Sequence, residues 1–408
     1  MSFLPNSLKM NKSVQRIYGK YGHDILYRLK EQRLRTQIEQ QLEKKKLSVD
    51  IKDLRSSTLN YIESMRLANE PYGRFRHSES VKEATLYASV CAALTRHIYG
   101  DLDIISPEQK KQWIDYILIH QADDGLFKDK YIANSMAEEG DGWGWRHLTV
   151  HAIMALTALG SVAPKSFQPL DKFKDPHFLI KWLENRIVER DLEWDLGNQV
   201  QNYVVMLQYA RDFQGEEWAG PVVEMILDWL DEAQNPTTGL WNKGPRNPAL
   251  LCRDVRVAYH LWLLYFYEGR PIKYADRVIH TCLSTQNEMG GFDVRINSSA
   301  CADIDSIDPL VRLSFHTQYR HDDVISSLQR AIPWVLANMN DDGGFVFTRG
   351  EDLTVGHKSM YSGIDESNMF YTWFRTLSLA YLAQTFPNST IGRFPWQFIR
   401  CPGHQFWP

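Results

Sequence analysis

A short turn pattern that recurs along the chain is the strongest constraint on its fold. In each copy an amphipathic segment ends in Gln or Asn, and a polar turn, a Gly and an aromatic residue follow. Clear copies span 121–127, 234–241, 286–292 and 340–345, with a degenerate copy at 69–75 and a weaker copy without Gly at Glu193-Trp194. Most copies are about 50 residues apart, a period typical of repeat architectures in which each unit is one supersecondary structure.

The segments between these turns alternate between two kinds of predicted helix. Segments after a turn are rich in small and apolar residues, as in a buried helix, whereas segments before a turn carry a 3.6-residue stripe with one polar face. The predicted buried helices span roughly 78–98, 146–159, 196–212, 252–267, 303–316 and 366–385. The predicted amphipathic helices span roughly 51–68, 107–121, 173–188, 219–234, 272–286 and 321–339.

Six buried helices alternating with six amphipathic helices predict an all-α fold of two concentric rings, an (α/α)6 toroid. An open α-solenoid also contains helix pairs. The six copies and the lack of a polar face on the inner set favour a closed ring. We expect the Gly of each turn to adopt a positive φ after the outer helix and the aromatic residue to pack beside it.

Composition divides the chain into three parts. Residues 1–48 form a predicted basic helical extension, because residues 1–46 carry 11 Lys or Arg against 4 Asp or Glu. Residues 49–387 form the predicted toroid, and 388–408 form an aromatic, Pro-rich tail expected to lie in a groove. The net charge of −4 argues against a nucleic-acid partner. No stretch resembles a signal peptide, so we expect a cytoplasmic protein, with the basic extension suited to peripheral contact with an anionic membrane.

The recurring turn resembles the QW repeat of squalene and oxidosqualene cyclases and of protein prenyltransferase β subunits. The resemblance covers roughly residues 50–386 and implies the toroid fold of that superfamily. Functions on this fold diverge widely, so the chemistry must come from particular residues.

Residues 299–313 contain an acidic motif. This segment resembles the D-x-D-D-T-A motif that carries the proton donor of class II terpene cyclases, with Asp303 and Asp305 matching its first two acids and Arg312 matching a frequent Arg. The sequence departs from the motif at Ser306, which replaces the third Asp, and at the two residues that follow it.

The resemblance implies that Asp305 is a general acid, with Asp303 and Ser306 holding its proton in place. Protonating an alkene needs a carboxyl group that stays protonated near neutral pH, whereas an ordinary Asp titrates near about 4. Burial and like-charged neighbours raise such a pKa, and Asp308 adds a third carboxyl to the same helix start.

Two other interpretations of the motif stay open. Asp303 is a good N-cap, and Asp residues in a first helical turn complement the helix dipole. Asp305 and Asp308, three residues apart on one helical face, would also suit a metal ion or another polar ligand.

Polar and aromatic residues near the starts of the inner helices are candidates for substrate binding, because these ends should converge on one mouth of the toroid. Arg and His there would suit an anionic head group, and aromatic rings facing the cavity could stabilise a carbocation. The candidates are Arg146, His147, Tyr203, Arg256, His260, Arg312, Tyr371 and Trp373. The Gly-rich loop before Trp145 is a candidate lid.

No metal site is predicted. Cys252, Asp254 and His260 are of the residue types that hold zinc in prenyltransferase β subunits, but the local patterns of that family do not match. The five Cys show no CxxC spacing. No cofactor is expected, apart from Mg²⁺ if the substrate carries a diphosphate.

The leading functional hypothesis is therefore a single-toroid terpenoid cyclase of the class II type, which opens a polyprenyl chain by protonation. The rival hypothesis is a carbohydrate-active toroid, a hydrolase, lyase or epimerase, acting on an acidic polysaccharide. A third is a non-catalytic binding toroid. The cavity discriminates between them: an apolar, ring-lined pocket favours terpenoids, and an open cleft lined by Arg, Asp and Tyr favours sugars. The oligomeric state is not predicted.

Overall fold

A computed structural model describes residues 31–44, 50–131, 144–185, 196–244, 246–355 and 357–404. Several sequence predictions lie outside these ranges. They are the weak turn at Glu193-Trp194, most of the Gly-rich loop before Trp145, residues 1–30 of the basic extension and the last four residues of the tail.

The described chain is almost entirely helical. Its helices are α1 (31–44), α2 (Ile51–Ser64), α3 (Leu86–Ile98), α4 (Pro107–Leu118), α5 (Trp145–Ala158), α6 (Pro176–Leu183), α7 (Leu196–Gln214), α8 (Ala219–Ala233), α9 (Pro248–Glu268), α10 (Ala275–Ser284), α11 (Ala300–Ser314), α12 (His321–Ala337) and α13 (Met369–Thr385). Short 3-10 turns lie at Leu102–Ile104, Gln168–Lys174 and Lys358–Met360, and one hairpin pairs β1 (Leu353–Thr354) with β2 (Tyr361–Ser362).

Six of these helices form a closed inner ring. Helices α3, α5, α7, α9, α11 and α13 contact one another in that order, and α13 contacts α3 again. Nearly every residue of α3, α11 and α13 is buried, as expected for helices covered on all sides. The (α/α)6 toroid predicted from the sequence is therefore confirmed, and the open solenoid is not formed.

The even-numbered helices α2 to α12 form the outer ring and bury one face each. In α8 the buried residues Val222, Val223, Ile226, Leu227 and Leu230 follow the spacing of one helical stripe. The outer helices pack on the neighbouring inner helices, as α10 does on α9 and α11.

The recurring turns hold the outer ring together. Their glycines Gly73, Gly125, Gly239, Gly290 and Gly343 all have positive φ, which is accessible to Gly without the steric cost of a Cβ. A Cβ on each would collide with the segment or outer helix that follows along the ring. For Gly343 that helix is α2, where the clash is with Ser57, so this turn closes the outer ring.

The Gln residues of the pattern stabilise the same turns. The side-chain amides of Gln121, Gln234 and Gln286 donate to the carbonyl oxygens of Gly125, Gly239 and Gly290 at 3.0, 2.7 and 3.0 Å. The aromatic residues that end the turns are buried: Phe75, Phe127, Trp241, Phe292 and Phe345.

Two local features differ from the predictions. Helix α3 begins at Leu86 rather than near 78, because the chain before it is extended and forms bridges between Arg76 and Ala84 and between Ser78 and Asn368. The hairpin of β1 and β2 was not predicted from the sequence, since each strand is only two residues long.

The described part of the basic extension, α1, lies on the outside of the toroid. Its residue Ile38 is buried, and Arg35 and Lys44 form ion pairs with Glu288 and Asp341 at 2.6 Å. Both partners belong to the recurring turns. Among the described residues, no helix combines the length and apolar character needed to cross a bilayer.

The turn glycines yield a prediction. Gly343→Ala places a Cβ against the backbone of α2 at a φ of +93°, whereas Gly215→Ala meets open space at a similar φ of +74°. We expect Gly215→Ala to lower the free energy of unfolding by about 1–2 kcal/mol through backbone strain. Gly343→Ala should lower it by about 1–3 kcal/mol more, because the Cβ also overpacks the contact. Urea denaturation measures both; equal effects would contradict the role of Gly343 in closing the ring.

Candidate active site: a cavity at the amino ends of the inner helices

One cavity of about 580 Å³ lies inside the inner ring. Its volume is in the range of small-molecule sites, about 300–1,000 Å³. Residues near the amino-terminal ends of α5, α7, α11 and α13 line it, together with two residues in the first half of α9 and one just past its midpoint. These helices therefore run in the same direction, as predicted for the inner ring.

The wall of the cavity is mainly apolar and aromatic. Phe370, Tyr371 and Phe374 project from one side of α13, and Phe347 stacks near Tyr371 with ring centroids 4.4 Å apart. The segment Leu353–Val355, which includes strand β1, completes this wall. Polar lining residues come mostly from the opposite helices: His147, Asn198, Arg253, Arg256, His260, Ser299, Cys301, Asp305 and His404.

Among the described residues that line the cavity, Asp305 is the only one with a carboxyl group. It lies in the second turn of α11 and is 2% exposed. Its carboxyl oxygens make no hydrogen bond or ion pair with the described residues. Burial raises the pKa of Asp305 well above its usual range; nearby Arg256 opposes this rise, and the carboxylates of Asp303 and Asp308 add to it. Asp305 is therefore a buried carboxylic acid that favours the protonated form.

Asp303 does not face the cavity, so the expectation that it holds the proton of Asp305 is wrong. Its carboxylate accepts hydrogen bonds from Arg375 Nη1 and Trp334 Nε1, each at 2.7 Å, from the Phe292 backbone N–H at 3.0 Å, and from the Ser298 hydroxyl. Residues two apart on a helix point to nearly opposite sides. With Asp303 directed toward α12 and α13, Asp305 is directed into the bore.

The capping interpretation of Asp303 is also wrong in its detail. The N-cap of α11 is Ser299, whose side chain accepts from the Ala302 backbone N–H at 3.2 Å. Asp303 lies one turn further on, inside the helix. Its function in the fold is to join α11, α12, α13 and the turn at Phe292.

Asp308 and Arg312 form a second ion pair on α11. Arg312 Nε donates to Asp308 at 2.6 Å, and the Tyr259 hydroxyl donates to the other carboxyl oxygen at 2.9 Å. With both oxygens of Asp308 occupied, the proposed Asp305–Asp308 metal pair has no support. Arg312 lies over the rings of Phe266 and Tyr381 rather than in the cavity lining.

The cavity also contains neutral histidines. His147 Nδ1 shares a hydrogen bond of 2.7 Å with the Tyr87 hydroxyl, and His260 Nδ1 donates to Gln201 at 2.7 Å. Burial lowers the pKa of His260 to about 3, and burial with the neighbouring histidines lowers the pKa of His147 well below its usual range. These imidazoles are uncharged at neutral pH.

The structure therefore brings some of the predicted site residues together and separates others. Asp305, His147, Arg256, His260 and Tyr371 line the same cavity. The other candidates are not among the lining residues: Asp303, Ser306, Arg146, Tyr203, Arg312 and Trp373. Arg146 instead lies over the ring of Tyr203, whose hydroxyl accepts a hydrogen bond from Lys172 Nζ at 3.1 Å. Trp373 packs edge-on against His151.

Sequence reasoning missed His404, Cys301, Phe347 and the hairpin residues. Cys301 is two residues after the cap of α11, and Phe347 follows the turn at 340–345, so both could be found from the repeat register. His404 carries no such signal, because it belongs to the tail and reaches the cavity through a long-range contact.

Within the described ranges, no three or more His, Cys, Asp or Glu side chains are placed to hold a metal ion. Two of the three residues considered as zinc ligands have other partners. Asp254 forms ion pairs with Arg246 and Arg253, and His260 donates a hydrogen bond to Gln201.

No protein-family model matches the chain, and no curated protein matches it significantly. Among solved structures, the chain is similar to a family 76 glycoside hydrolase from a bovine Bacteroides thetaiotaomicron strain, with a TM-score of 0.44 and 9% identity over 84% of this chain and 79% of that one. The toroid fold is assigned from the contacts between the helices of this chain. The activity of that hydrolase is not assigned to this chain.

The two aspartates of α11 yield a paired prediction. At neutral pH Asp303→Asn should lower the free energy of unfolding by about 3–5 kcal/mol, because it leaves the buried Arg375 guanidinium without its carboxylate. Asp305→Asn should raise the free energy of unfolding. At neutral pH the Asp305 carboxyl group is ionised in the unfolded chain and must take up a proton on folding, and the amide removes this cost.

The pH dependence separates the two variants further. Between the unfolded pKa of about 3.9 and the raised folded pKa of Asp305, only the folded wild type retains this proton, so its stability falls by about 1.4 kcal/mol per pH unit. The advantage of Asp305→Asn over the wild type should therefore grow from about pH 5 to about pH 7.5. Urea denaturation at both pH values tests this. A pH-independent difference, or destabilisation by both substitutions at neutral pH, would contradict the assignment.

Proposed function

We propose that this chain is an enzyme that uses the carboxylic acid of Asp305 to protonate a carbon–carbon double bond of a polyprenyl substrate and so starts its cyclisation. The observation that carries the proposal is the position of Asp305: buried, without a hydrogen-bond partner among the described residues, and exposed to a cavity with an aromatic wall. A general acid for neutral pH needs a raised pKa, and the environment of Asp305 supplies it.

The proposed first step transfers the Asp305 proton to one alkene carbon. The π electrons of that bond form the new C–H bond, the neighbouring carbon becomes cationic, and the π electrons of the next double bond attack it to close a ring. The rings of Phe370, Tyr371 and Phe374 offer π faces that attract a cation. Because the lining histidines are neutral, they do not repel that charge.

Arg256 has a role in the same step. It lines the cavity and lies close enough to Asp305 to oppose the rise of the pKa of that carboxyl group. Its Nε donates to the Cys252 carbonyl oxygen at 3.4 Å. After proton transfer Asp305 is a carboxylate, and the Arg256 guanidinium stabilises that charge. This role differs from binding an anionic head group, which was expected from the sequence.

A carbohydrate-active toroid is the second candidate. The polar side of the cavity, with Asn198, Arg253 and Arg256, favours it, since such groups suit an acidic sugar. Most glycoside hydrolases, however, use two carboxyl groups that flank the scissile bond. Among the described lining residues Asp305 is the sole carboxyl group, which favours single-acid chemistry on an alkene.

The test is product formation from farnesyl and geranylgeranyl diphosphates and alcohols, analysed by mass spectrometry in H₂O and in D₂O. The wild type should form cyclic products that carry one solvent deuteron at the protonated carbon. Asp305→Asn keeps the shape of the side chain but has no acidic proton, so its turnover should fall by about 10²-fold or more. Asp308→Asn is the matched control, because it also removes a buried carboxyl group of α11 but lies one turn away and outside the cavity lining.

The same assay tests the role of Arg256 and the carbohydrate-active alternative. Arg256→Gln should lower kcat equally for diphosphate and alcohol substrates; a rise in KM confined to diphosphates would assign it to the head group. Wild-type cyclisation by Asp305→Asn would end the proton-donor assignment. Cleavage of an acidic polysaccharide that depends on Asp305, with no turnover of any polyprene, would establish the carbohydrate-active alternative.

A further inference from the structure

The C-terminal tail enters the bore of the toroid from the end opposite the mouth. The backbone N–H of Gln397 donates to the carbonyl oxygen of Ile98, the last residue of α3, at 3.0 Å. The ring of Phe398 then stacks on Tyr381 in the second half of α13, with centroids 5.8 Å apart and planes 13° from parallel. The tail therefore begins its path at the carboxyl ends of the inner helices.

Contacts with α5 mark how far the tail advances. Cys401 lies close to Thr157 near the carboxyl end of this helix. Gly403 lies against Met154, where a Cβ would be too close to the sulfur, and the ring of His404 lies 6.1 Å from that of His151. The three contacts on α5 move steadily toward its amino end, so the tail climbs the bore and places His404 at the bottom of the cavity.

His404 is fixed there from several sides. Its carbonyl oxygen accepts the hydroxyl of Tyr381, which lies under the guanidinium of Arg312 and so connects the tail to the Asp308–Arg312 pair. Its ring packs between Phe374 and Tyr259, with centroids at 5.5 and 5.7 Å. An enclosed position of this kind holds an imidazole in one orientation.

The polar atoms of this ring are unused. His404 is 2% exposed and lines the same cavity as Asp305, and within the described part of the chain neither ring nitrogen has a hydrogen-bond partner. Buried polar groups in native proteins normally have partners, and an orphan at a cavity indicates a functional position. The Nδ1 atoms of His147 and His260, by contrast, are already engaged with Tyr87 and Gln201.

We propose that His404, delivered by the C-terminal tail, is the general base that ends the reaction started by Asp305. This inference rests on the proposed cyclase function. The free lone pair of the imidazole takes a proton from the carbon next to the final cationic centre. The electrons of that C–H bond become the new double bond, the cation is neutralised, and His404 becomes an imidazolium that returns its proton to solvent.

The environment of His404 suits this step. Burial, with the neighbouring His151 and His260, lowers the pKa of His404 well below its usual range, so that its lone pair is available at neutral pH. A low pKa makes a weak base, but a C–H bond beside a carbocation is a very strong acid and needs only a correctly placed acceptor. The aromatic rings around His404 exclude water, which would otherwise capture the cation as an alcohol.

The test compares His404→Gln and His404→Ala with His260→Gln, the matched loss of another cavity imidazole, and with His77→Ala, a buried His outside the cavity lining. Products are identified by mass spectrometry in H₂O and in ¹⁸O-labelled water, and thermal melting checks that each variant folds. In both His404 variants we expect olefin formation to fall by about 10²-fold or more. The substrate should still be consumed, with ¹⁸O-labelled alcohols or isomeric olefins replacing the normal product.

Chemical rescue separates a base from a structural residue. Added imidazole should restore the normal olefin in His404→Ala, where the side chain has left a space, and should have no effect on His77→Ala. Wild-type products from both His404 variants, or the predicted change in His260→Gln alone, would overturn the inference while the effect of Asp305→Asn still supports the cyclase. A wild type that consumes no polyprene would overturn the proposed function and this inference together.

Discussion

The ion pair between Asp303 and Arg375 determines how the fifth inner helix faces its neighbours. Both side chains are buried, and Asp303 also binds Trp334 of α12 and the turn at Phe292. Breaking such a pair leaves an isolated buried charge, which costs about 3–5 kcal/mol. The pair therefore fixes the rotation of α11 about its own axis, and this rotation turns Asp305 into the bore.

Three aspartates on one helix consequently have three different environments. Asp303 is paired with Arg375 and Asp308 with Arg312, whereas Asp305 has no described side-chain partner. Burial favours the neutral form of a carboxyl group unless a cation or several donors compensate. Arg312 opposes the rise that burial causes in the pKa of Asp308, whereas the pKa of Asp305, which has no such ion pair among the described residues, is raised well above its usual range. Histidines in the same space lose their charge for the same reason, and the cavity holds little charge besides Arg253 and Arg256.

The repeat made the fold predictable from the sequence. Gly343 and its counterparts need a positive φ at a close approach, and Gln121 and its counterparts need a nearby carbonyl oxygen, so local chemistry alone indicated the turns. The start of α3 was misplaced because the bridge of Ser78 to Asn368 joins residues far apart in the sequence. Such pairings are invisible to periodicity.

The site was only partly predictable. The spacing of Asp303 and Asp305 already places them on opposite faces of a helix, a constraint that outweighs their resemblance to a shared acid motif. Arg146, Tyr203 and Trp373 lie on inner helices as expected, but small differences in helix rotation decide whether a side chain faces the bore or the neighbouring helix. His404 was missed because the tail contains no periodic signal, and its place depends on contacts with Met154 and Tyr381.

The protonation state of Asp305 in the resting protein tests this account most directly. Carbon-13 NMR of protein labelled at the aspartate carboxyl carbons can detect a protonated carboxyl group at neutral pH. We predict one resonance with the chemical shift of a protonated acid at about pH 7, present in the wild type and in Asp308→Asn, and absent from Asp305→Asn. A wild-type spectrum in which every aspartate is ionised at that pH would contradict the central claim.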